Sequence, residues 1–275
     1  MGSSHSRPLK AKLIILLFYL SCTNMLAQEL NKVKSIPFEH EVVHASIDRQ
    51  GNVYIASKNG DIDRYDKEGT LAYHFSPDTK GNVSLIEGWQ GLRTFVFYRD
   101  FQQYLFLDRF LNSPNRLNIG SDPSRYYQWA TLAGDNNLWL VDQQELSLKK
   151  LDIEINDFLV ETPFNLNLDP ENFQLTHIRE YQNLLFISDV NSGILVFDNL
   201  GNYLESLPIS GLDYFSFRDN ELFGLIEPGK VASIDIYSKK VREISLPDLS
   251  YKYVLMENSL LFAISNDRMD IFQIR

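Results

Sequence analysis

Cysteine is almost missing from this chain. Cys22 is the only one in 275 residues, so no disulfide framework and no cysteine-built metal site can exist within it. A chain of this length buries enough apolar surface to fold without such staples. Histidine is also sparse: beyond the first thirty residues there are His40, His44, His74 and His177, scattered singly. No G-x-S-x-G elbow, G-x-G-x-x-G turn or P-loop occurs, which removes the usual sequence marks of a serine hydrolase and of a phosphate cradle. Positive charge is in deficit, with 26 Lys and Arg against 36 Asp and Glu and a net charge of −10. Such a surface repels phosphate backbones, so nucleic acid is not an expected partner. Helical periodicity is absent over any run longer than two turns outside the N-terminus, as are Pro/Ser-rich linkers and low-complexity tracts.

The N-terminus is the exception. Arg7, Lys10 and Lys12 precede the apolar run from Leu13 to Leu20. A basic stretch followed by a short apolar one reads as a secretory signal peptide, and the run is too short to span a bilayer. Two cleavage patterns compete. Ala27 before Gln28 resembles a signal-peptidase site, which makes residues 1–27 a leader and 28–275 a single domain. Ser21-Cys22 at the end of the run resembles a lipoprotein box, with Cys22 as the lipidated first residue. Either pattern predicts an exported protein, periplasmic or associated with the outer membrane of a bacterial envelope, with a candidate lipid anchor at Cys22.

What fills the rest is a repeat. Val42–Ile47, Asn52–Ser57, Asp61–Asp66 and Thr70–Phe75 are short alternating runs separated by Asp48-Arg49-Gln50-Gly51, Lys58-Asn59-Gly60 and Lys67-Glu68-Gly69. Alternation interrupted by Gly- and Asn-bearing turns is a hairpin meander. The second run of the unit begins at Val53, Leu138, Leu184, Leu222 and Leu260, and the wide gap between Val53 and Leu138 holds one more copy from Val83 to Ile119. Six copies at a period of about forty residues, each with four strands, predict an all-β, six-bladed β-propeller of four-stranded antiparallel blades. The last copy stops after its third strand, while a spare strand, Asn31–Pro37, stands at the front. The N-terminal strand is therefore expected to close the last blade and to cover an edge that would otherwise invite aggregation.

The phrase from Gly51 to Ala56 continued by Ile62 to Gly69, and its echo at Asn183–Asp189 and Gly193–Gly201, resembles the repeat of the NHL-type and TolB-like six-bladed propellers. That resemblance implies a fold and little chemistry, because its Asn, Asp and Gly serve turns. Members of that superfamily include binding scaffolds, sensors and metal-dependent lactone hydrolases, and none of the hydrolases' metal ligands can be matched to positions here.

Candidate functional residues come from the connections entering each first strand. On a propeller these open on one face with the loops between second and third strands. They are rich in aromatics: Arg125, Tyr126 and Tyr127; Phe173; Tyr214; Tyr251 and Tyr253, with Trp89 and Phe101 as additions. Aromatics and Arg dominate interface hot spots, although large residues there can equally pack between blades. His44 and His177 fall on first strands, which line the central channel, and could converge on a metal there, although no carboxylate stands at matching spacing to complete a site. The sequence thus predicts a non-catalytic scaffold that docks an envelope protein through its loop face, with no cofactor, metal or catalytic residue assigned. The alternatives are a metal-dependent lactone or ester hydrolase and a glycan or peptide sensor; any small-molecule ligand is unidentified.

Overall fold

The turns set the architecture. Asp48 accepts the backbone N–H groups of Gln50 and Asn52, both at 2.9 Å, and the Asn52 side chain at 2.8 Å. Asp108 and Asp198 repeat the arrangement with Phe110 and Asn112, and with Leu200 and Asn202. A short side chain bonding backbone two and four residues on stabilises a tight reversal without help from the core. Gly51 completes the first of these turns at φ +83°, a region L side chains avoid. Gly51→Ala should lower stability by about 1–2 kcal/mol without changing the fold, as read by thermal melting against circular dichroism.

The computed structural model describes residues 30–89, 91–112, 116–120, 124–164 and 173–274. Cys22 and both leader readings lie outside them. The chain enters through β1 (Leu30–Pro37). Blade 1 holds β2 (Val42–Ile47), β3 (Val53–Ser57), β4 (Ile62–Tyr65) and β5 (Leu71–Phe75). Blade 2 holds β6 (Leu85–Glu87), β7 (Arg93–Tyr98), β8 (Gln103–Asp108) and β9 (Leu117–Asn118), with a single 3-10 turn at Arg99–Phe101. Blade 3 holds β10 (Tyr127–Leu132), β11 (Leu138–Asp142), β12 (Ser147–Asp152) and β13 (Asp157–Pro163). Blade 4 holds β14 (Leu175–Tyr181), β15 (Leu184–Asp189), β16 (Gly193–Asp198) and β17 (Tyr203–Leu207). Blade 5 holds β18 (Phe215–Arg218), β19 (Glu221–Glu227), β20 (Lys230–Asp235) and β21 (Val241–Ser245). Blade 6 holds β22 (Tyr253–Glu257), β23 (Leu260–Ile264) and β24 (Arg268–Ile274).

Each sheet has four strands in sequential antiparallel order, and the sixth is completed by β1, which pairs with β24 from Leu30↔Ile274 to Pro37↔Arg268. The expected closure is therefore present. The first strands adjoin one another around the centre, and β2 meets β22 to seal the ring. Six apolar clusters fill the spaces between blades, built from residues such as Phe215 and Phe217, Trp139 and Phe197, or Phe95 and Leu140. Outer strands are largely exposed, as in β5 and β17. No helix among the described residues is long and apolar enough to cross a membrane.

One feature of the inner strands has no signature in the sequence. The pairing slips by one residue after Val42 in β2, after Tyr127 in β10 and after Leu175 in β14. A bulge re-aims the side chain that follows it. It places His44, Trp129 and His177 at equivalent rungs of blades 1, 3 and 4.

Candidate functional site

Two faces follow from the topology. The entry face carries the connections into the inner strands and the loops between second and third strands; the turn face carries the hairpins that leave the inner strands. On the entry face a cavity of about 430 Å³ lies between the approaches to β18 and β22 and the loop Leu225–Pro228. Tyr214, Tyr251 and Tyr253 line it together with His44, Asp213 and Lys252, and Glu227 stands on the loop side. The structure thus gathers three of the seven sequence-selected residues around one opening.

Their hydroxyls hold the ring together. Tyr214 donates to the Ala45 carbonyl at 2.9 Å and Tyr253 to the Val43 carbonyl, so blades 5 and 6 both reach β2 in blade 1. Tyr251 donates to the Asp270 carboxylate at 2.5 Å. Burial raises the pKa of all three phenols, that of Tyr214 to about 12, so they stay neutral donors. What they offer the cavity is ring surface. Tyr214 and Tyr253 meet edge to face with centroids 5.0 Å apart, and His177 packs on Tyr214 at 4.6 Å. Such pairs fix ring orientation and leave flat apolar walls.

The other selected residues lie elsewhere. Tyr127 is buried beside Phe158, and its backbone N–H donates to Gln102. Arg125 is held 3.1 Å from Glu145 and 3.4 Å from Asp142. Phe173 packs against the cluster shared by blades 3 and 4. Tyr126 and Phe101 are exposed. Trp89 belongs to the turn face, because it follows the inner strand β6 instead of preceding one.

The axis itself is polar. Burial, helped by the charge of Arg99, holds His44 down to about 4, and burial, helped by His44 and Arg179, holds His177 well below its ordinary value. Both imidazoles are therefore neutral at pH 7. His177 also packs on the Phe215 ring at 4.6 Å, and among the described residues the buried indole N–H of Trp129 at the matching rung has no hydrogen-bond partner. No group of three or more His, Cys, Asp or Glu side chains among the described residues is placed to hold a metal ion.

Toward the turn face the axis continues through Arg179 and Glu87, both buried. Burial pushes the Glu87 carboxyl up to about 7; Arg179 and the hydrogen bonds from Thr131 and Leu132 oppose the rise. Glu180 accepts the Gly134 N–H at 2.7 Å and the Trp139 indole N–H at 2.5 Å. Reasoning on loops missed these residues, yet a signal was present. Glu87, Arg179 and Glu180 are charges inside inner-strand runs, where apolar or small neutral residues are the rule.

No protein-family model matches the chain, and no curated protein matches it in sequence. Solved structures do match in fold. A catalytically inactive virginiamycin B lyase from Staphylococcus aureus, crystallised with quinupristin, superposes with TM-score 0.57 at 12% identity, covering 85% of this chain and 80% of that one. The Cps50 (Swd1) β-propeller domain from Myceliophteria thermophila gives 0.64 at 11%, over 90% of this chain and all of that one (100%). BamB from Moraxella catarrhalis gives 0.52 at 10%, over 89% and 100%. Likeness at this identity is a likeness of fold, and fold alone carries no activity. With its six closed blades, its turn chemistry and these neighbours in fold, the chain is a six-bladed β-propeller.

Proposed function

We propose that this propeller is a non-catalytic docking scaffold of the bacterial envelope, which engages a protein partner on its entry face. One observation carries the reading. Tyr214, Tyr251 and Tyr253 present ring walls to a single cavity whose rim bears Asp213, Glu227 and Lys252. Aromatic walls framed by charges of both signs suit an inserted side chain or chain segment of a partner: the rings give apolar area and the rim gives orientation. Rigid blades below allow loops to vary without harming the core. The basic and apolar leader supports an envelope location, whether the mature chain begins at Cys22 as a lipoprotein or at Gln28.

Lys252 and Glu227 are exposed, so reversing their charge tests the rim without touching the core. Lys252→Glu combined with Glu227→Lys should abolish co-purification of the partner from detergent-solubilised envelopes while melting within a degree or two of the parent, since surface changes of this kind cost about 0.5 kcal/mol or less. Tyr126→Ala, in the blade-3 approach on the far side of the entry face, should weaken capture less. A parent protein that elutes alone at monomer mass, or a double variant that captures the same partner undiminished, refutes the reading.

A further inference from the structure

Another cavity, of about 260 Å³, opens on the turn face where β6, β10 and β14 end. It lies at the opposite end of the inner strands from the tyrosine cavity and shares no residue with it. Its inner wall is Arg179 and Glu87, and its rim includes Arg49, Trp89 and Tyr181.

Arg179 is the anomaly. It is 3% exposed, no described residue accepts a hydrogen bond from its side chain, and its charge reaches Glu87 only through space. Its guanidinium carbon stands 5.5 Å from the Trp89 ring centroid and 5.9 Å from that of Phe217. Ring faces compensate a cation only in part, and its N–H donors still lack acceptors. A buried charge left in that condition is costly unless something else completes it. The neighbouring carboxylates do not complete it. Glu180 is taken by Gly134 and Trp139, and Glu87 accepts from Thr131 at 2.5 Å and from the Leu132 N–H at 3.3 Å. A second guanidinium, that of Arg49, covers the same indole at 4.6 Å, and Tyr181 meets that indole edge-on at 4.8 Å.

We propose that this cavity binds a small monocarboxylate carrying an aromatic or apolar body, with Arg179 and Arg49 clasping the carboxylate and Trp89 and Tyr181 covering the body. The guanidinium fork matches a planar carboxylate in two parallel hydrogen bonds. Two acidic side chains alongside disfavour a dianion such as phosphate. The size suits a ligand of one ring, and the apolar rim suits its face.

A proton accompanies the ligand. The groups around Glu87 are Arg179 and Glu180 from β14, Arg49 from the turn after β2 and Tyr214 ahead of β18. An incoming carboxylate beside Arg179 would repel an ionised Glu87, which feels the same guanidinium only through space, so the form that binds is the one with Glu87 protonated. That carboxyl titrates at about 7. Between pH 8 and pH 6 the competent fraction rises about tenfold, and the apparent affinity rises with it.

Benzoate is the probe, benzamide its neutral isostere and inorganic phosphate the dianion control, each titrated calorimetrically into the full chain. Benzoate should bind at least tenfold more tightly than either control and about tenfold more tightly at pH 6 than at pH 8. Glu87→Gln should bind at pH 8 as the parent does at pH 6. Arg179→Gln should lose at least tenfold, and Arg49→Gln, on an exposed turn, should lose severalfold with an unchanged melting curve. The Arg49 variant keeps the test valid if the buried Arg179 variant fails to fold. The proposal is overturned by benzoate that gives no heat, by benzoate and benzamide binding alike, or by an affinity indifferent to both pH and Arg49.

Discussion

Excising residues 30–37 should cost this propeller several kcal/mol, lower its melting temperature by more than about 10 °C and convert a monodisperse species into an associating one. β1 does three things at once. It forms the outer ladder of blade 6 against β24 over the length of both strands. It clips blade 6 to blade 1, because the Lys34 ammonium donates to the Glu68 and Gly69 carbonyls at 2.9 and 3.1 Å. It also packs Ile36 against the cluster that Ile271 and Tyr65 share across the same seam. Without it β24 becomes an unpaired edge beside an incomplete core, the condition that strand edges are built to avoid. The missing strand can be supplied from outside, since an extended peptide adds to an open sheet edge. A synthetic peptide of residues 30–37 should therefore raise the melting point of the shortened chain and dissolve its oligomers, whereas a scrambled peptide should do neither. A shortened chain that stays monomeric and melts within a few degrees of the parent would show that the ring closes by other means.

That closure was legible in the sequence because it depends on local signals. Turn residues such as Asp48-Gly51 and Asp198-Asn202 announce each reversal, and the apolar alternation between them fixes which face each strand buries. The spare strand at Asn31–Pro37 and the missing one after Ile274 then complete each other. The candidate site was only half legible. Sequence position placed Tyr214, Tyr251 and Tyr253 on the entry face, and the fold gathers them there. It could not say that their hydroxyls are occupied by Ala45, Asp270 and Val43, because those partners are between 19 and 210 residues away in the chain. Nor could it separate Tyr126, which is exposed ahead of β10, from Tyr127, which is buried as the first residue of that strand. The polar axis from His177 through Arg179 to Glu87 is assembled from blades 4 and 2, across the middle of the ring. No local pattern brings such residues together, and the only trace is a charge where a strand's inner edge calls for none.

Asp270 carries the second large effect. Its side chain is fully buried in β24, and three donors from different elements converge on one carboxylate oxygen: Lys32 of β1 at 2.8 Å, Tyr251 ahead of β22 at 2.5 Å and Arg268 at 3.2 Å. Burial alone would raise its pKa, but these bonds, led by that from Lys32, outweigh burial and hold it at about 2. An unfolded aspartate titrates near 3.9. The folded value is the lower of the two, so the contribution is fully present above about pH 4 and is lost as the pH falls from there toward 2. The shift corresponds to about 2 kcal/mol once the half-exposed Lys32 is discounted for solvent screening. Asp270→Asn keeps the shape and the Tyr251 contact but removes the charge; it should cost about 2 kcal/mol at pH 7. Asp270→Ala leaves the buried Tyr251 hydroxyl without its acceptor, while Arg268 keeps Asp248, and should cost about 1–3 kcal/mol more than Asp270→Asn. Urea unfolding at pH 7, 4 and 2.5 distinguishes a charge effect from a packing one. The gap between the parent and Asp270→Asn should be widest at pH 7 and should narrow at pH 2.5, where the parent carboxylate begins to take up its proton. A gap that stays constant across that range would mean that shape, not charge, joins the first strand to the last.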